Sequence, residues 1–524
     1  MRIGKILPAA LALVLLPVVA GAAGVADLIQ KGDRQAALQA IRDGGDVNAL
    51  QGDGSSPLLW AVHGVDHELV AELLKHGAKP NLRNSLGATA LREAITLGDT
   101  DMVGMLLQAK ADPNLGNADN ETPLMLAARM GSLPMVQSLL QAGARVNEKE
   151  QSRSQTALMW AVDGNPPNPQ VVDLLIASKA GVDVRAAAND WGNQITSEPR
   201  AQYRASGGLT PLLYATMSGC LPCVKSLLKA GADINRPTPD GVTPLMNAID
   251  NNHYDVANYL LDQGANPRLF DWWGRTAVYL AADMRTRGGA RGGPAGFRNN
   301  EAPAAPAAPQ GSALQILQRL LEMGVDPNTQ LDMHRPFRGR FADDLMTTGC
   351  TPLLRAALSV DKDAVALLLR HGALPDLPNV MGVTPLMAAA GIGAGRGKVT
   401  SEGPLRGVDA QAYAIAVIDM LLQAGADVNA RITDTSSHTA IIARPSSMTD
   451  RQGQTALFGA VSQNWTRVAQ HLLEHGARAD IKDDQGKTLV DALTGKAGGR
   501  DTLEDRPQAA PDELVKLIKG AMGS

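Results

Sequence analysis

Cys220-Leu221-Pro222-Cys223 is the pair in this chain with evident redox chemistry. A CxxC at a helix start can hold a low-pKa thiolate, or close a disulfide in an oxidising compartment. Haem attachment is excluded, because Val224 stands where CxxCH requires histidine. The turn Gly131-Ser132-Leu133-Pro134-Met135-Val136 has the same form with Ser and Met in place of the cysteines, so a local disulfide or a plain turn stands beside the redox pair. The Gly-rich stretch Gly391–Lys398 suggests a phosphate loop and fails. GxxxxGK[ST] needs Gly at 392 and Ser or Thr at 399, where the chain has Ile392 and Val399. The nine histidines show no metal-ligand spacing. His76, His371 and His475 sit in KHGA, RHGA and EHGA, where a histidine at a helix C-terminus complements the dipole. No paired carboxylates or Ser/His/Asp constellation stands out, so no cofactor, no metal and no enzymatic activity are expected. Recognition chemistry remains. Aromatics are 3% of the chain, yet Trp272 and Trp273 are adjacent in Asp271-Trp272-Trp273-Gly274.

These residues sit in a repeat. A Thr-Pro-Leu triplet or a close relative recurs with middle residues Pro57, Ala90, Pro123, Ala157, Pro211, Pro244, Ala277, Pro352, Pro385, Ala456 and Leu489. The intervals are 33, 33, 34, 54, 33, 33, 75, 33, 71 and 33. A period that returns to 33 after each interruption marks one supersecondary unit stacked many times, a solenoid. Such a chain offers a long variable surface and seldom a closed pocket.

Residues 117–149 show the uninterrupted unit, NADNETPLMLAARMGSLPMVQSLLQAGARVNEK. Thr122 is placed as a helix N-cap and Pro123 at the first helical position, where a missing N–H costs nothing. Leu124, Ala127 and Ala128 give a narrow apolar face. Gly131 ends the first helix, and Pro134 opens a second carrying Val136, Leu139 and Leu140 at helical spacing. Gly143 ends that one. Tags such as GADIN (231–235), GVDPN (324–328) and GADVN (425–429) close each pair. Two residues before each cap lies Gly54, Gly87, Asn120, Ser154, Gly208, Gly241, Gly274, Gly349, Gly382, Gly453 or Gly486, as a turn needing positive φ demands.

The unit resembles the ankyrin repeat, in TPLMLAAR and again in TPLMNAID (243–250), TPLLRAAL (351–358) and TPLMAAAG (384–391). The resemblance implies an all-α solenoid of about twelve helix pairs with β-hairpin fingers, and a partner bound on the concave surface of fingers and first helices. Residues 24–50 then form an N-terminal capping repeat without the triplet. Residues 51–285 and 312–482 hold the regular repeats, and 483–524 a degenerate C-terminal cap. Residues 1–23 read as a signal peptide: Arg2 and Lys5, an apolar run from Ile6 to Ala20, then Ala20-Gly21-Ala22. The run is too short to span a bilayer, and no cysteine follows it to carry a lipid. Export to the periplasm or medium is expected, without stable membrane insertion.

The long intervals place insertions near 188–206, 331–346, 392–410 and 432–450, with a Gly/Arg/Pro/Ala tract at 286–311 expected to be disordered. By the same count, those at 188–206, 331–346 and 432–450 precede the next finger. Arg335, Phe337, Arg338 and Arg340 mix cation and aromatic in one insertion, either an ordered contact element or a basic loop tethered by its phenylalanines. Trp272 and Trp273 fall on a finger tip, where two indoles facing water need a covering loop or a partner. The third residue after each triplet marker forms a second series in which Glu93, Asn247 and Arg355 suggest a water-facing position. Trp60, Trp160, Tyr214 and Arg355 are therefore candidate contacts, with partly buried packing as the other reading for the aromatics. The net charge of −4 gives no drive toward nucleic acid. The expected function is a scaffold binding another protein. Redox protection through Cys220 and Cys223, or binding of an anionic surface polymer by the Arg-rich loops, is the alternative. Deleting 287–310 should leave soluble protein with a nearly unchanged melting temperature, since loop closure entropy grows slowly with length. Loss of soluble protein on that deletion would show packed structure there.

Overall fold

Most cap positions of the triplets act as the spacing predicts. The hydroxyl of Thr243 accepts from the Met246 amide at 3.2 Å, and Ser56, Thr89, Thr122, Thr210, Thr276, Thr351 and Thr384 do the same at their own helices. Each satisfies one amide that the helix leaves unpaired. Asp33, Asp66, Asp99 and Asp361 cap second helices in the same manner.

The computed structural model describes residues 24–188, 207–285, 310–332, 348–392, 409–433, 451–494 and 510–523. Twenty-four helices are found among them, and the chain divides into two compact units, Met1–Gln151 and Ser152–Ser524. The division falls inside the finger between Glu150 and the cap Thr156, where the interval is 34 and not 33. The first unit holds the pairs Val25–Gln30 and Arg34–Arg42, Pro57–His63 and His67–Lys75, Ala90–Leu97 and Thr100–Gln108, Pro123–Arg129 and Leu133–Gln141. The second begins with Ala157–Val162 and Pro169–Ala177, Pro211–Ser218 and Leu221–Lys229, Pro244–Asp250 and Tyr254–Asp262, Ala277–Met284 and Gln310–Glu322. It continues with Pro352–Leu358 and Lys362–Arg370, Pro385–Ala389 and Ala410–Gln423, Ala456–Ser462 and Thr466–Glu474, Leu489–Thr494 and Asp512–Gly523. Within each unit a first helix packs on its own second helix and on the next first helix. Ala37, Ala61, Ala94 and Ala127 in the one, and Ala215, Ala248 and Ala281 in the other, are fully buried and permit that close approach. No helix of the described residues is long and apolar enough to cross a membrane.

The closing tag has two jobs. Its acid accepts the amide two residues on, as Asp46 does from Asn48 and Asp326 from Asn328, both at 2.9 Å. Its asparagine then reaches the next helix pair. Asn114 accepts the Arg145 amide at 2.7 Å and donates to the Gly143 carbonyl at 3.2 Å. Asn328 does the same with Leu374 and Gly372, and Asn429 with Arg478 and Gly476. One side chain thereby satisfies a donor and an acceptor at the frayed end of the neighbouring second helix.

All eleven finger-turn positions have positive φ, Asn120 and Ser154 included. Phe270 with Thr276 makes the one β-bridge among the described residues, and no strand is found among them. In several short fingers the first residue is polar and folds its side chain under the turn. Asn84 accepts from the amides of Leu86 and Ala88, and Asn379 from those of Met381 and Val383. Where an insertion follows, that residue is apolar and buried: Ala186, Leu331 and Ile432. These still pair across the stem, Leu331 donating to Cys350 and accepting from Gly349, and Ile432 pairing likewise with Gln454 and Gly453. The described residues that flank the three insertions expected before a finger therefore pair with each other as the stem of one. Residues 189–206, 333–347 and 434–450 themselves are outside the described residues, as are 1–23, 286–309 and 393–408. The helix Gln310–Glu322 begins inside the tract expected to be disordered at 286–311, and the helix Ala410–Gln423 inside the insertion expected to end at 410.

Gly274 and Gly264 separate backbone strain from collision. Both have positive φ, but a Cβ on Gly274 would lie 2.6 Å from the Asp332 amide nitrogen, whereas one on Gly264 meets nothing within 4 Å. Gly264→Ala should cost about 1–2 kcal/mol for the left-handed backbone alone. Gly274→Ala should cost clearly more in denaturant unfolding of the full chain; equal losses would mean that the stem yields.

Candidate binding surface

The finger Arg268–Thr276 is built around one carboxylate. Asp271 is buried; its Oδ1 accepts from the amides of Trp273 and Arg275 at 3.1 and 2.9 Å, and its Oδ2 from Arg275 Nε at 2.7 Å. Burial pushes the Asp271 carboxyl above the usual carboxylate range, while Arg275 and the two amides pull it down. The Arg275 guanidinium also approaches Asp250 at 3.6 Å and lies over the Trp273 ring, 5.2 Å from its centroid. The backbone is pinned on both sides, Trp272 donating to the Asp240 carbonyl at 2.8 Å and Trp273 accepting from Asp332 at 3.0 Å.

Trp272 and Trp273 are the central residues of a turn closed by the Gly274 amide on the Asp271 carbonyl at 2.9 Å. Here Asp271 and Trp273 face inward, and Phe270 and Trp272 face solvent with exposures of 64% and 47%. Two large rings thus stand exposed on a hydrogen-bonded finger, an arrangement suited to anchoring a partner, because little ordering entropy is lost on contact.

The family model for ankyrin repeats (3 copies) matches residues 26–117, 109–188 and 192–271. This is an ankyrin-repeat protein. Among curated relatives, ZDHHC13 of Danio rerio, whose name proposes a palmitoyltransferase, is 30% identical over 298 residues, 56% of this chain and 34% of that protein. Protein phosphatase 1 regulatory subunit 27 of Mus musculus is 46% identical over 59 residues, 11% of this chain and 38% of that protein. The chain therefore covers little more than a third of the length of these relatives. The solved ankyrin repeat domain of Bcl-3 aligns at 24% identity over 44% of this chain and 94% of that one, with a TM-score of 0.36.

Several expected contacts are internal to the ankyrin stack. Trp273 is 4% exposed, so the finger presents one indole and not two. Trp160 and Tyr214 are buried, and Gln155 Nε2 donates to the Tyr214 hydroxyl at 2.5 Å. Trp60 is half-buried, its indole N–H donating to Gln51 and its ring edge-on to His63. The polar members of the series containing these residues each find a partner in the preceding ankyrin unit, Asn247 and Arg355 while buried and Glu93 while partly exposed. Glu93 pairs with His63 at 2.7 Å, and Asn247 donates to the Leu213 carbonyl at 2.8 Å. Arg355, buried, donates to the buried Asp283 at 2.6 Å and to Ser359 at 2.6 Å. Arg335, Phe337, Arg338 and Arg340 lie outside the described residues.

Cys220 and Cys223 form a disulfide, with Cys220 as the N-cap of Leu221–Lys229 and the Cys223 side chain buried. Cys350 is a buried free thiol. Phe270 was missed by sequence reading, although it is a scarce aromatic two residues before Trp272. Asp419, His471 and His475 were also missed: they converge from two helices, and only the two histidines share a helical spacing.

Trp272 and Trp273 should therefore separate cleanly. Trp273→Ala should destabilise by about 3–5 kcal/mol, the range for truncating a buried aromatic, while Trp272→Ala should stay within about 0.5 kcal/mol of wild type. Denaturant unfolding of the two single variants checks this, and similar losses would refute the inward–outward assignment.

Proposed function

We propose that this chain is exported and binds another protein through its ankyrin fingers and first helices, with Phe270 and Trp272 as the anchoring pair. The observation that carries the reading is the exposed ring pair on a finger whose foundation, Asp271, Trp273 and Arg275, is buried and hydrogen-bonded. Other large apolar side chains, such as Leu86, Met130 and Leu374, are also exposed, and scattered exposed apolar residues are usual on a protein surface. Ankyrin repeats supply such surfaces generally, and one relative is named for a regulatory-subunit role, which is itself a protein contact. The stretch holding Arg335, Phe337, Arg338 and Arg340 follows the finger of Phe270 and Trp272 in the chain and would supply further basic and aromatic contacts. The basic and apolar start at residues 1–23 supports export.

The test is affinity capture from an envelope extract with the wild-type chain and with Phe270→Ala combined with Trp272→Ala. Binding to the captured partner should weaken by about 2–4 kcal/mol, the range of aromatic hot spots, with melting unchanged. Capture of the same proteins at the same affinity would remove the finger from the interface. Mass spectrometry of the exported chain should find its N-terminus after the Ala20-Gly21-Ala22 stretch.

A further inference from the structure

Three metal-ligating side chains meet in the C-terminal unit. Asp419 lies on the helix Ala410–Gln423, and His471 on the helix Thr466–Glu474 of the next pair, whose C-cap is His475. His471 Nε2 and Asp419 Oδ1 are 2.6 Å apart although 52 residues separate them. His471 and His475 are four residues apart and so share a helix face, with ring centroids 4.3 Å apart. One ligand atom from each of the three lies within 4.8 Å of the others.

The tautomer at His475 suits a ligand. Its Nδ1 sits 2.8 Å from the His471 carbonyl, so Nδ1 carries the proton and Nε2 keeps the lone pair, oriented by the backbone as metal-bound histidines are. His76 occupies the same cap position and bonds to the Glu72 carbonyl at 2.9 Å. There the residue four before is Glu72, already paired with Lys75 at 3.0 Å. Capping therefore accounts for His475 but not for His471 and Asp419. The nearby Glu474 is engaged by Gln470 at 2.9 Å.

We propose that Asp419, His471 and His475 bind a divalent transition-metal ion. Two imidazoles and one carboxylate suit zinc and its first-row neighbours, whereas calcium and magnesium favour all-oxygen sets. Three protein ligands leave a coordination position open. The ion would fasten two successive second helices just beyond the insertion at 434–450. It would stabilise the folded state by mass action, since the three groups are not held together in the unfolded chain. The assignment is independent of the protein-binding finger.

The full chain, stripped with chelator, is titrated with zinc chloride by calorimetry and melted with and without zinc. Wild type should take up zinc and melt at a higher temperature with it. His471→Gln and Asp419→Asn should each weaken uptake at least about tenfold, the scale of losses at perturbed metal sites, and His76→Gln should not. Zinc that leaves wild-type melting unchanged, or variants that bind as well as wild type, overturns the proposal. If His471→Gln unfolds without metal, the exposed His475→Gln decides, and wild-type zinc affinity in it has the same consequence.

Discussion

The amide side chain that closes each helix pair is the contact on which the stack depends. A helix end leaves carbonyls and amides without intrahelical partners, and a repeat array multiplies that deficit at every turn. Asn48, Asn81, Asn114, Asn328 and Asn429 each present an acceptor and a donor to the next second-helix terminus. The carboxylates at Asp183 and Asp376 retain the accepting half, taking the amides of Asp233 and Asp427. Asp376 is held above the usual carboxylate range by burial. Backbone hydrogen bonds between neighbouring fingers, such as Ser85 to Asp53 and Trp272 to Asp240, both at 2.8 Å, form a parallel ladder. The repeat period is the spacing at which both ladders close.

Polar residues inside such a lattice are read wrongly one unit at a time. Glu93, Asn247 and Arg355 occupy equivalent positions and look like a surface, yet each is met by a residue of the unit before: His63, Thr216 and Asp283. Burying a charge is tolerated where a partner is fixed opposite it, and removing one partner would leave an uncompensated group. The finger at Asp271 follows the same logic. Its ion pair with Arg275 fixes the backbone so firmly that the direction of Trp272 is set by what lies beneath it.

Insertions obey the stem and not the tip. A polar first residue can close a short finger by accepting the turn amides; where an insertion follows, an apolar one is buried in the stem. Asn84, Asn379 and Asp483 belong to the first kind, and Leu331 and Ile432 to the second. That alternation is written in the chain, but its meaning emerges once the stem hydrogen bonds are known.

The sequence by itself determined the unit, its caps, its positive-φ turns and the family, because these depend on contacts within a few residues that recur in register. It also marked the finger bearing Trp272. Tertiary structure decided which of two adjacent tryptophans faces solvent, which polar residues are spent on a neighbour, and that Asp419 reaches His471. Those outcomes turn on partners one unit away in space but 30 to 72 residues away in the chain, the distance varying with each insertion. No local pattern encodes a pairing whose separation is not constant, and packing of one helix pair on the next supplies it.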